Sequence, residues 1–161
     1  MDSNFDSVDV TGGYKVDGVE VIDGDGEISN NALSAPALKA LQFTVALADF
    51  TDNEDATGDY THTVSIPKGA VVTQTLINSV TGFAGDTSAT IQIGDGTDVD
   101  RYNTGTPNVF TTADTISAGA VSGTAFHSAA KAPVVTVTSD SDFTSVTAGA
   151  VTITIFYYEG V

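Results

Sequence analysis

The stretch Ala89–Tyr102, ATIQIGDGTDVDRY, opens with Ala89, Ile91 and Ile93 on one side of a period-2 ladder and Thr90 and Gln92 on the other. This reads as a short strand with one buried face. Gly94 and Gly96 end it, and the loop behind them carries Asp95, Asp98, Asp100 and the chain's single arginine, Arg101.

The same alternation recurs on both sides. Upstream, Leu41, Phe43, Val45 and Leu47 alternate with Gln42, Thr44, Ala46 and Ala48. After the polar loop Asp49–Asp59, the segment Tyr60–Ile66, YTHTVSI, alternates again. Pro67-Lys68-Gly69 turns the chain into a strand over Ala70–Val80, and Thr81–Ser88 reads as a loop. Downstream, Asn103–Lys131 is irregular, with one or two short strands among long loops. Pro133–Ser139 is a strand with proline at its first position, where a missing donor is tolerated. Val151–Tyr158, VTITIFYY, closes the series with Val151, Ile153, Ile155 and Tyr157 on one face and Thr152, Thr154, Phe156 and Tyr158 on the other. Aromatics on both faces near its end imply that it is covered on both sides there.

Before the first long strand, Leu33–Ala40 predicts one or two helical turns, with Ser34 as N-cap and Pro36 in the first turn. Further upstream, Tyr14–Ile22 gives a hairpin around Asp17-Gly18, a dipeptide suited to a type I′ turn. Met1–Gly13 is a polar arm. Residues 1–31 therefore form an arm and hairpin, and residues 32–161 the main domain. About seven or eight short strands with almost no helix predict an all-β chain, an antiparallel β-sandwich of jelly-roll-like type, with a barrel as the neighbouring solution.

The 161 residues hold 21 Asp and Glu against 5 Lys and Arg, a formal net charge of -16. Such a surface repels phosphate backbones and anionic lipid, so neither nucleic acid nor membrane is expected as a partner. No apolar run approaches the length of a membrane span, and MDSNFDSVDV lacks the basic and apolar regions of a signal peptide. Synthesis in a cytoplasm is expected. With no cysteine, thiol catalysis and thiolate metal sites are excluded.

Asp95, Asp98 and Asp100 offer oxygen ligands to a hard cation, but the spacing is not that of an EF-hand, and a solvated turn with one acid paired to Arg101 competes with a metal site. Asp23, Asp25 and Glu27 form a similar cluster. His62 shares the apolar face of its strand with Tyr60, Val64 and Ile66, which predicts a hydrogen-bonded core or interface group. His127 lies in a loop without a partner that suggests a triad. Nucleophile elbows, Walker loops and HExxH are absent, so no enzymatic activity and no cofactor are expected.

Two passages resemble virion proteins of tailed bacteriophages. GYKVDGVEVIDGDGEI, residues 13–28, resembles a segment met near the start of phage fibre and capsid-surface proteins. IPKGAVVTQTLINSVTGF, ATIQIGDGTDVDRY and the closing VTITIFYYEG are similar to jelly-roll-like domains of phage decoration and head-fibre proteins, with Val99 where such proteins often have proline. The resemblance implies a capsid decoration (cement) protein on the outer surface of the virion, a homotrimer that binds the major capsid protein and stabilises the shell. Its expected interface residues are Phe5, Tyr14, Phe156 and Tyr158. A head or tail fibre that attaches to host glycans is the alternative. A carbohydrate-binding module ranks third, since there is no tryptophan to form a sugar platform.

Overall fold

The structure, a computed structural model, describes residues 14–16, 19–22, 37–122 and 125–159, the first two stretches by their backbone. The chain divides into two units between Ala37 and Leu38. In the first, β1 (Tyr14–Val16) pairs antiparallel with β2 (Val19–Ile22), the hairpin expected around Asp17-Gly18.

The second unit is an antiparallel β-sandwich. Its strands are β3 (Leu38–Ala46), β4 (Thr51–Asp52), β5 (Thr57–Thr61), β6 (Val71–Ala84), β7 (Ala89–Gly94), β8 (Ala113–Ile116), β9 (Val134–Ser139) and β10 (Ala148–Tyr158). Among the described residues they form two four-stranded sheets, ordered β3-β10-β6-β8 and β4-β5-β9-β7. Val45, Ile77, Ile153 and Ile155 of the first sheet and Ile91, Ile93, Val135 and Val137 of the second are all fully buried in one apolar core. Each such side chain contributes roughly 1.5–3 kcal/mol relative to exposure. Phe50 joins the layers, edge-on to Phe83 with ring centroids 5.9 Å apart and 5.9 Å from Phe143. No helix among the described residues is long and apolar enough to cross a membrane.

Three local expectations are corrected. Leu38–Ala40, read as part of a helical stretch, begin β3 instead, where they pair with Tyr158, Tyr157 and Phe156 of β10. Pairing with the closing strand outranks a weak local propensity, while Leu33–Pro36 lie outside the described residues. Thr81–Ser88 is not all loop. β6 runs on to Ala84, held to β10 through register shifts, with Thr81 opposite Ala150 and Ala84 opposite Ala148. The Tyr60–Ile66 strand stops at Thr61, opposite Val134, because Pro133 beyond it has no N–H to continue the ladder. Ile66 is buried through a separate bridge to Lys131, and Val64 is exposed.

Candidate functional site

The acidic loop after β7 folds back on its own strand. Asn103, fully buried, accepts the Ile93 N–H at Oδ1 (2.7 Å) and donates from Nδ2 to the Gly105 carbonyl (2.7 Å). The Tyr102 N–H meets the Ile93 carbonyl at 2.9 Å. This closure requires glycine at 94, where a Cβ would lie 2.0 Å from the Asp98 carbonyl oxygen.

Asp95 is the centre of the loop. Its Oδ1 accepts the N–H groups of Thr97 and Asp98, both at 2.9 Å. Its Oδ2 faces Arg101 Nη1 at 3.0 Å and Lys131 Nζ at 4.0 Å. Burial pushes this carboxyl up, but the Asp98 and Thr97 N–H groups and the charges of Arg101 and Lys131 outweigh it and hold Asp95 below the usual carboxylate range. Arg101 goes on to donate from Nη2 to the Phe126 carbonyl at 2.8 Å, and Lys131 donates to Thr97 Oγ1 at 2.8 Å.

Beneath the loop, the buried Tyr102 hydroxyl lies 3.2 Å from His127 Nε2, with the two rings stacked at 5.6 Å. Burial and the charge of Arg101 hold His127 below its ordinary value. The Asp95 charge and the Ala129 backbone oppose this, and Lys131 adds to it. Burial, together with the Asp95 charge, pushes the Tyr102 phenol well above its ordinary value. The contact ties the loop after β7 to the chain at His127, whose backbone is bonded to Gly69 and Ala70.

The sequence-predicted residues are dispersed over the molecule. Asp95, Arg101 and His127 meet in this cluster, with the Asp95 carboxylate engaged within the fold. Asp98 and Asp100 lie on its solvent side, where their mutual hydrogen bond raises Asp100. Among the described residues no three His, Asp or Glu groups are placed to hold a metal. His62 stands apart, stacked on Phe43 at 4.1 Å with Nδ1 3.0 Å from the Tyr60 hydroxyl. Phe156 is half-buried and Tyr158 exposed on the outer face of β10. Phe5, the side chain of Tyr14, and Asp23, Asp25 and Glu27 lie outside the described residues.

The sequence reading missed Phe126. The segment 125–127 runs along the edge of β6 beside Gly69–Val72. Val72 N–H donates to the Ala125 carbonyl (3.0 Å), His127 N–H to the Ala70 carbonyl (2.8 Å), and Val71 bridges to Phe126. His127 points into the core and Phe126 out to solvent. Arg101 and Tyr102 therefore clamp from behind a segment that widens the outer face of the β3-β10-β6-β8 sheet. A lone Ala-Phe-His inside an irregular region carries no period that would reveal this.

The fold that carries this loop is an antiparallel sandwich of two four-stranded sheets. Among solved structures, a chain in the cyanophage Pam1 capsid asymmetric unit is similar to it, with a TM-score of 0.52 at 19% identity over 78% of this chain and 91% of that one. No family model matches the sequence, and no curated protein matches it significantly.

Proposed function

We propose that this chain is a virion structural protein, a capsid decoration protein that binds the outer shell as a homotrimer and stabilises it. The observation that carries this reading is the likeness of its fold to a chain of a cyanophage capsid asymmetric unit, nearly all of which the match covers. The charge of -16 supports the outer surface, because packaged DNA would repel the chain from the lumen. Its partner is the major capsid protein. Residues 1–31, with Phe5 and Tyr14, serve as the docking arm, and the sandwich over 32–161 presents Phe156 and Tyr158. The protein acts by binding. A ligand that prefers the mature shell stabilises it by RT ln(1 + [L]/Kd) per site, and an icosahedral shell repeats that gain at many sites.

The test adds the purified protein to heads assembled without it, counts bound copies, and measures the temperature at which the heads release DNA. Saturable binding at copy numbers that match capsid symmetry, with a raised release temperature, is expected. Heads that bind no protein, or bind it with unchanged stability, would remove the decoration role.

A further inference from the structure

Four of the six large apolar side chains exposed among the described residues stand in one cross-strand row. Leu38 (53% exposed) pairs with Tyr158 (39%), Tyr158 with Val71 (39%), and Val71 with Phe126 (49%). Paired residues point to the same side of a sheet, so the row is continuous across β3, β10, β6 and the 125–127 segment. The rows behind it are Ala40, Phe156 and Gln74, then Gln42, Thr154 and Leu76, then Thr44, Thr152 and Asn78.

None of these positions is charged. In β3, β6 and β10 the one charged residue is Lys39, which pairs with Tyr157 on the core side and reaches Glu159 at 3.9 Å. Asp114 enters only in β8, the edge strand. In a chain of net charge -16 this is a large area without an acid.

We infer that this face is where copies of the chain meet, with the row Leu38–Tyr158–Val71–Phe126 at the centre of the contact. This rests on the homotrimer in the proposed function and gives its location. A partner of different composition could complement the acidic surface with cations and would need no bare face. A second copy carries the same charge, and two such surfaces approach only where neither bears it. The apolar row measures on the order of a few hundred Å², the size of patch that proteins keep for binding. That falls short of the roughly 800 Å² per partner of a stable interface, so the uncharged Thr and Gln rows form the remainder, matching the charge-poor core of known interfaces. In a threefold assembly the same row from each chain converges on the axis.

The test is solution mass by light scattering of the full chain, at low micromolar concentration, for wild type and two matched double variants. Val71→Asp with Tyr158→Asp puts two acids at paired positions in the row. Thr90→Asp with Thr138→Asp does the same on the outer face of the β4-β5-β9-β7 sheet. The expected result is three chain masses for wild type and the second variant, and a threefold drop to one chain mass for the first. A wild-type monomer, or a folded V71D/Y158D protein of unchanged mass, would overturn the assignment.

Because the chain contains no cysteine, Leu38→Cys and Thr138→Cys provide a second reading should the aspartate pair prevent folding. A short bismaleimide should link copies through residue 38 and not through 138, and linkage through 138 alone, or through neither, refutes the assignment. The capsid role is read separately. An oligomer that fails to bind heads removes decoration and leaves this face in place, while a monomer that binds heads removes the face and leaves decoration.

Discussion

The two outer faces of the sandwich obey the same period-2 rule and differ in what they present. On the β4-β5-β9-β7 sheet, Asp59 stands beside Thr51 and Thr136 and accepts the Thr136 hydroxyl (2.5 Å) and the Asn53 amide (3.0 Å). The loops at that sheet's ends add Asp55, Asp86 and Asp142, each holding N–H or hydroxyl donors of its own neighbours. On the β3-β10-β6 face, polar residues are present but charge is not. A face meant only for water has no reason to exclude acids from a chain this acidic. Solvation explains the first face, and the second needs something to lie against it.

The largest expected effect breaks the support behind the bare face. Asp95→Ala leaves Arg101 and Lys131 without their shared carboxylate and the Thr97 and Asp98 N–H groups without an acceptor. The carboxylate is enclosed while Arg101 and Lys131 reach solvent, so the loss is that of its charged hydrogen bonds, about 2–4 kcal/mol. Asp59→Ala on the acidic face removes an exposed bond from Asn53 and a part-buried one from Thr136 but no ion pair, and about 1 kcal/mol is expected. Urea unfolding of the two variants measures the ratio. Equal losses would mean that the loop after β7 is an ordinary surface turn.

How much of this was legible in the sequence follows from period. The β7 alternation names its buried residues, Ala89, Ile91 and Ile93, because every second side chain enters the core, whereas β10, read as covered on both sides near its end, leaves Tyr158 exposed. Arg101 finds a carboxylate as a lone arginine among many acids should. The bare face was half visible, in Phe156 and Tyr158, because its other members come from Leu38, Val71 and Phe126, separated along the chain and joined only by register. No local pattern encodes which strands are neighbours. The cluster of Asp95, Tyr102, His127 and Lys131 was hidden for the same reason.

Next in size is Gly58→Ala, on the inner side of β5. A Cβ there would lie 2.3 Å from the Phe143 ring, itself buried and packed on Phe50. Overpacking of this kind costs about 1–3 kcal/mol. The midpoint of thermal unfolding should fall, while oligomer mass below that midpoint stays at wild type, since the bare face is untouched. A loss of mass without a loss of stability would place the copy contact on the acidic side.

Arg101→Ala separates the ion pair from the face it supports. Asp95 keeps Lys131 at 4.0 Å and its two backbone N–H donors, so the stability loss should be smaller than for Asp95→Ala, about 1–2 kcal/mol. The Phe126 carbonyl loses its 2.8 Å donor, however, and the row loses its outermost anchor. Self-association should therefore weaken more than stability does, read as a dissociation constant from dilution series. An unchanged midpoint and an unchanged constant together would reduce Arg101 to a surface residue.

The smallest effect separates the two faces by pH. His127 is held below 6.5 by burial and by Arg101, so protonation favours the unfolded chain. The stability it supports is complete above pH 6.5 and declines as pH falls from there toward the lowered native value. The slope is at most about 1.4 kcal/mol per pH unit for one group. His62, lowered by burial against Phe43, adds to the same window. The acids of the other side behave differently. Asp55, Asp86 and Asp142 are held below 3.8 by hydrogen bonds from Thr57, Ser141 and Thr144, so what they contribute persists above pH 3.8 and is lost only as pH falls through their native values. Between pH 6.5 and 4, weakening should therefore arise at the histidines, and at His127 it sits directly behind Phe126. His127→Gln keeps an acceptor for Tyr102 and removes the titration. Its urea midpoint should fall less than wild type between pH 7.5 and 5, and its self-association should lose less over the same range. Parallel pH profiles in the two proteins would show that His127 does not couple the loop to the face.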